Sequence, residues 1–350
     1  MRYCTLRLLV LGIVIGTALS ETINLTVKKW YYAARSEFGT PSQVLWLGLD
    51  IGTRDLWVYG GMCYQISTKC TKGTLQYYRG HSSSTYTTGA VGVKLNLTTS
   101  YYSGNGTVTL VSARDTISIA GHSLGSTNFG ESKLADYSFY KTLNTSGLFG
   151  LGLGSVTALT GYFSTLIGNG TSYTLTTHHA NQTATITTGE DPNCVQPFHY
   201  IPLSITTLTI GNRWEIPLIS YKFGSIAGGA VSGHTASFTT LSKNIQIPVA
   251  LYQPIHDELV RLYYDFSWAH DLIDCKRRAQ LPDLTLNLGG KNYTVTPHQY
   301  ITQTASNYCI LRLVANYASN QWILGYPFHQ GHCENFDPIG LRVGLSTPNS

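Results

Sequence analysis

Strand-sized runs of apolar and β-branched residues recur along the whole chain, cut at each end by Gly, Asn or Ser. Examples are "QVLWLGL" (43–49), "AVGVKLNLTT" (90–99), "TVTLVSA" (107–113), "DTISIAG" (115–121) and "LTLNLGG" (284–290). Runs this short, alternating or continuously apolar between turn residues, fold as strands. Helical periodicity is confined to "PIHDELVRLYYDF" (254–266), where Ile255, Leu259, Leu262 and Tyr263 share a face, and to a short piece at Tyr162–Ile167. With 43% hydrophobic and only 12% charged residues, the chain has ample material for a core. An all-β protein is expected. A length of 350 residues allows two domains. The composition shift at "TGEDPNCVQP" (188–197) places their boundary, giving 21–190 and 191–350.

The first twenty residues have the order of a secretory signal. Arg2 and Arg7 form a basic region, "LLVLGIVIG" (8–16) an apolar one, and "ALS" (18–20) a small-residue cleavage site. The apolar run is shorter than the ~20 residues a membrane span needs. A secreted, extracellular protein is expected. Without Arg2 and Arg7, 21 basic residues face 18 acidic ones, a net charge of +3. No long basic run is present, which argues against nucleic-acid and membrane-surface partners.

Six cysteines follow the signal: 63, 70, 194, 275, 309 and 333. An even number in an oxidising compartment implies three disulfides. Cys63 with Cys70, Cys275 with Cys309, and Cys194 with Cys333 form the favoured set, although six cysteines allow fifteen connectivities. Seven N-x-S/T sequons, at Asn24, Asn96, Asn105, Asn144, Asn169, Asn181 and Asn292, are candidate glycosylation sites.

Several motifs suggest chemistry that their surroundings do not support. "GHSLG" (121–125) has the spacing of a serine-hydrolase elbow, but no helical period follows Ser123, so a Gly turn between two strands is expected. "GLFGLGLGS" (147–155) lacks the GK[ST] of a phosphate loop, and close backbone approach explains its glycines. His178 and His179 are adjacent, so on a strand their rings diverge. His329 and His332 flank Cys333. All four are expected to be surface histidines, and no metal or cofactor site is expected.

The remaining candidate is Asp50, in "LGLDIGTRDLWVYG" (47–60), a carboxylate with Gly52 and Thr53 just after it, between two apolar runs. "FGTPSQVLWLGLDIGTRDLWV" (38–58) resembles the GTP-x-Q … D-T-G-S … LWV signature of the pepsin-like aspartic proteases. "SSSTY" (82–86), "DTISIAG" (115–121), "SGLFGLG" (146–152), "LPDLTLNLGGKNYTVTPHQYI" (281–301) and "WILGYPFHQGHCENFDPIGLRVGL" (322–345) extend the resemblance over nearly the whole mature chain. "DPNC" (191–194) and "HQGHC" (329–333) resemble the nematode branch, which supports pairing Cys194 with Cys333. The resemblance implies a bilobal fold, two β-barrel lobes with a central cleft. It also implies chemistry by two aspartates, one from each lobe, that share a proton.

Only the first aspartate is present. The stretch matching A-x-x-D-T-G-T-S is "ASFTTLSKNIQIP" (236–248), which puts Thr239 at the aspartate position, then Thr240, Leu241, Ser242 and Lys243. No Asp or Glu lies between Glu215 and Asp257, so no local shift supplies one. Ile51 stands where the family's first loop has a Thr, and Tyr326 where "ILGD" has its acid. Tyr102 is the nearest candidate for the flap tyrosine, one residue out of register. Only residues 21–30 separate the signal from the first strand, too few for the family's inhibitory prosegment. Lys243 is a candidate to face Asp50 as an ion pair. The reading is a proteolytically inactive, monomeric homologue whose cleft binds an extended peptide or protein segment. An endopeptidase using Asp50 with a remote carboxylate, and an extracellular protein with no use for the cleft, are the alternatives.

Overall fold

The computed structural model describes residues 21–52, 54–61, 63, 76–96, 107–135, 145–153, 163–167, 172–204, 213–225, 227–262, 272–303, 308–317 and 320–349. Strands dominate, as the short alternating runs require, and the molecule is a bilobal all-β protein of pepsin-like architecture. Six alternating residues already show why: Leu45, Leu47 and Leu49 point into one core and Ile23, Leu25 and Val27 into the same core from a neighbouring strand, each at most 5% exposed. Burying each such side chain contributes about 1.5–3 kcal/mol.

A thirteen-stranded sheet joins the two halves. The strands Thr22–Lys28, Thr183–Thr188 and Tyr173–His178 come from the first half of the chain. Cys333–Asp337, Arg342–Ser346 and His199–Pro202 come from the second. The junction is the antiparallel pair of Tyr173–His178 with Cys333–Asp337, in which Cys333 faces Thr176. The Cys194–Cys333 disulfide is formed beside it, and Cys275–Cys309 closes a second loop. Cys63 is also disulfide-bonded, and Cys70 lies outside the described residues.

Each half repeats one local topology. In the first, Gln43–Asp50 pairs in parallel with Gly147–Gly150, which pairs antiparallel with Leu56–Tyr59. In the second, Thr235–Phe238 pairs in parallel with Gln321–Leu324, which meets Ile245–Pro248 antiparallel. A strand inserted between two others leaves the loop joining them, 51–55 or 239–244, at the end of the parallel pair. Both insertions depend on glycine. A Cβ on Gly147 would lie 2.1 Å from the Trp57 carbonyl oxygen, and one on Gly325 would lie 2.4 Å from the carbonyl oxygens of both Ser242 and Asn244. Gly147, the first glycine of "GLFGLGLGS", therefore serves backbone approach.

"GHSLG" is the expected turn: Ile119 ends one strand, His122 begins the next, and Ala120 and Gly121 both have positive φ. The longer helix differs from the expectation. It runs Val249–Leu262 and passes through Pro254, starting five residues before the proline taken as its N-terminus. Near the start of a helix a proline forfeits only one backbone bond, to the carbonyl of Ala250, and Ile255 and Leu259 are fully buried beyond it. Residues 263–266 lie outside the described residues. The short helix is Phe163–Leu166.

Gly325→Ala should destabilise the protein by about 3 kcal/mol or more, because both obstructing atoms are backbone. Gly121→Ala, in open space at positive φ, should cost about 1 kcal/mol. Urea midpoints of the two variants check the contrast.

Candidate functional site

Asp50 ends the strand Gln43–Asp50 and is 2% exposed. Its carboxylate Oδ1 accepts the Gly52 N–H at 2.6 Å, and its backbone carbonyl accepts the Leu151 N–H at 2.7 Å. A Cβ at position 52 would sit 3.0 Å from that same Oδ1, so glycine leaves the carboxylate room. Thr53 and Tyr102 lie outside the described residues.

Thr239 directly follows the equivalent strand of the second half, Thr235–Phe238, and is 1% exposed. Its Oγ1 accepts the Leu241 N–H at 3.1 Å, the same bond to the residue two ahead that Asp50 makes. Its own N–H donates to the Leu324 carbonyl at 3.0 Å. The two loops meet through Thr240. Its hydroxyl donates to the Leu49 carbonyl at 2.6 Å and accepts the Ile51 N–H at 3.3 Å, both across the lobes. Ile51, the residue facing it on the first loop, is hydrocarbon and fully buried and has no hydroxyl to return such a bond.

Leu241 reaches further across. It is 2% exposed within a cluster of Tyr31, Trp57, Tyr59 and Leu148, all from the first half. Ser242 is turned inward on its own loop: its Oγ donates to the Asn244 carbonyl at 2.8 Å and accepts the Asn244 N–H at 3.2 Å. Its carbonyl accepts the Tyr326 N–H at 2.9 Å. The Tyr326 hydroxyl is pushed up to about 12 by burial.

Lys243, considered from the sequence as a partner of Asp50, lies in a partly buried setting near Arg312. Burial, and then the like charge of Arg312, hold the ammonium below its ordinary value. The reason is backbone geometry. The Ile245 N–H donates to the Arg312 carbonyl at 2.8 Å, which fixes the end of the loop beside that arginine.

Sequence reasoning missed the group beneath the second loop. His329 and His332, expected at the surface, are 1% and 3% exposed. His329 Nε2 donates to the Thr239 carbonyl at 2.8 Å, and its Nδ1 lies 2.8 and 2.7 Å from the two carboxylate oxygens of Glu334, itself fully buried. Both partners are acceptors, so both ring nitrogens carry protons. Burial works to lower the His329 imidazole, but the charge and hydrogen bond of Glu334, with the Thr239 carbonyl, hold it above its usual value. His332 has no such counter-charge. Burial pushes it down to about 4, against the bond its Nδ1 donates to the Phe328 carbonyl at 2.8 Å, with the charge of His329 adding to the depression. The five-residue spacing of His329 and Glu334 around a disulfide cysteine was the one sequence signal available.

The other buried carboxylates have partners of their own. Glu131 accepts from Tyr86 at 2.6 Å. Glu215 accepts from Ser204, Ser237 and Gln321. Asp115 accepts from Tyr78 and Thr85. Among the described residues, no group of three or more His, Cys, Asp or Glu is arranged to hold a metal. No described helix is long and apolar enough to cross a membrane.

Two β lobes, each presenting a loop at the end of a parallel strand pair, with the loops joined back to back, are the architecture of an aspartyl protease. The family model for eukaryotic aspartyl protease matches residues 31–347, and the chain belongs to that family. It is similar to renin of Canis lupus familiaris, at 24% identity over 348 residues, 95% of this chain and 82% of the relative. It is similar to pepsin A of Gallus gallus, at 24% over 330 residues, 90% and 83% of the two chains. It is also similar to aspartic protease 1 of Caenorhabditis elegans, at 24% over 346 residues, 91% and 82%.

Thr240→Val should destabilise by about 1–3 kcal/mol, because it strips the hydroxyl from two buried backbone groups, while Thr240→Ser should retain most of the stability. Urea unfolding of both variants checks this. A pH dependence follows from His332. Its folded value lies below its unfolded one, so the unfolded chain binds the extra proton between about pH 6.5 and 4. Stability should fall by about 3 kcal/mol as pH drops through that window. His329 has the opposite sign: its contribution is complete below about pH 6.5 and is lost only as pH rises through its raised folded value. His332→Phe should therefore flatten the acid limb, as read by unfolding midpoints at pH 4, 5 and 6.5.

Proposed function

We propose that this chain is a secreted, glycosylated aspartyl-protease homologue that does not cut peptides and keeps its cleft as a groove for an extended peptide or protein segment. The observation that carries the reading is Thr239. It makes the loop bond that mirrors Asp50, and it places a hydroxyl where the family's chemistry needs a second carboxylate. The lobes 21–190 and 191–350 would each supply one wall of the groove.

The family's reaction divides labour between two acids. The ionised member takes a proton from water, and the neutral member polarises the scissile carbonyl. A threonine hydroxyl is neither near neutral pH. Loss of one proton-transfer partner alone costs roughly 10²–10⁴ in rate. Ile51 and Leu241 support the same reading, since the first withdraws a hydroxyl from the loop junction and the second fills a small-residue position with a buried leucine. Strand addition along the cleft needs backbone groups and side-chain pockets, and no acid pair.

Purified protein incubated with denatured haemoglobin at pH 3–5 should release no peptide above a buffer control, with or without pepstatin. Pepstatin-sensitive cleavage would overturn the proposal and identify a working endopeptidase that draws its second carboxylate from elsewhere.

A further inference from the structure

We infer that Asn292 carries an N-linked glycan whose first sugars lie in a polar groove on the outer face of the second lobe, a reading that rests on the proposed secretory route. The groove, of about 760 Å³, crosses a four-stranded antiparallel sheet built from Lys291–Val295, Leu284–Leu288, Glu215–Phe223 and Ala227–Ala230. The strand registers set Asn292, Asn287, Ser220 and Ala230 in one row across it. The next row is Thr294, Thr285, Lys222 and Gly228. Alternation turns both rows outward, because the intervening Tyr293, Leu286 and Tyr221 are buried.

The sequon therefore lies in the groove's own wall, with Asn292 and Thr294 on the solvent face. Small residues at the far strand keep the floor low, while amides, hydroxyls and one ammonium line the near side. That surface suits a ligand rich in hydroxyl groups, and the chain holds an attachment point for one at its edge. Asn287 fixes the geometry of that point. Its Oδ1 accepts the Gly290 N–H at 3.1 Å, and its Nδ2 donates to Asn292 Oδ1 at 2.8 Å. The bond engages the oxygen of the Asn292 amide, so it is compatible with a sugar on the nitrogen. In the transfer, Asn292 Nδ2 attacks C1 of a lipid-pyrophosphate-linked oligosaccharide. The N–C1 bond forms, the C1–O bond to pyrophosphate breaks, the lipid pyrophosphate leaves with the electron pair, and the proton lost by the amide passes to solvent.

The test uses the full chain expressed in a secretory eukaryotic cell, with residues 21–350 behind a standard secretory leader as a parallel arm. Failure of the first arm alone to reach the medium would count against the secretory reading and leave Asn292 to be scored in the second. Glycopeptide mass spectrometry should find Asn292 modified. Peptide:N-glycosidase should release that glycan at least tenfold more slowly from native than from denatured protein. Ala230→Trp, which fills the far end of the groove, and Lys222→Ala should each bring native release towards the denatured rate with occupancy and urea midpoint unchanged. An unmodified Asn292 on secreted protein, equal native and denatured release, or native release unmoved by both variants would overturn the inference.

Discussion

One hydroxyl ties the two lobes at their centre. Thr240 Oγ1 reaches the Leu49 carbonyl and the Ile51 N–H in a dry environment, where both backbone groups would otherwise lack a partner from the opposite loop. Everything near the cleft is placed relative to that contact: Asp50 one residue before Ile51, Thr239 one residue before Thr240, and Leu241 one residue after it. A symmetric junction would have a hydroxyl from each side. Here Thr240 supplies one and Ile51 has none to give, and the apolar bulk of Leu241, set among Trp57, Tyr59 and Leu148, adds a hydrophobic clasp from the second lobe. At the cleft, contact between the lobes thus leans on the second loop, while the shared sheet joins them on the far side.

That loop is in turn held from below. His329 grips the Thr239 carbonyl and is itself gripped by Glu334. A buried ion pair gains little net energy over an apolar one, because both charges lose their water. Its worth here is positional: a charged donor aimed at one carbonyl fixes the height of the loop, and the carboxylate that keeps the donor charged sits on a strand of the shared sheet. The position of Thr239 is therefore coupled to the junction of the halves through two side chains.

Much of the architecture was readable from residues. Alternation in "QVLWLGL" named the inward leucines, and the glycines of "GLFGLGLGS" named a site of backbone contact, because both signals are local. The positions 239–243 are assigned through the resemblance of "ASFTTLSKNIQIP" to the family's second motif. What could not be read were facts that depend on distant neighbours. "HQGHCE" offers only the spacing of its first histidine and its glutamate around a cysteine, since a charged pair declares itself only when both partners are seen without water. Lys243 reads as a counter-ion to Asp50 because both belong to cleft loops; its burial and its nearness to Arg312, remote in sequence, could not be read that way. Pro254 looked like a helix start because a proline's local preference is strong, and the packing of Ile255 and Leu259 outweighed it.

The pairing of Cys333–Asp337 against Tyr173–His178 has a consequence for how the molecule is made. A ribosome delivers residue 178 long before residue 333, so the inner strand waits with one edge bare while the rest of the polypeptide emerges. Bare edges invite wrong partners, and contacts between residues so distant in sequence form slowly. The nascent protein is most vulnerable to aggregation through this edge, and guarding it during synthesis falls to whatever chaperone meets the chain first.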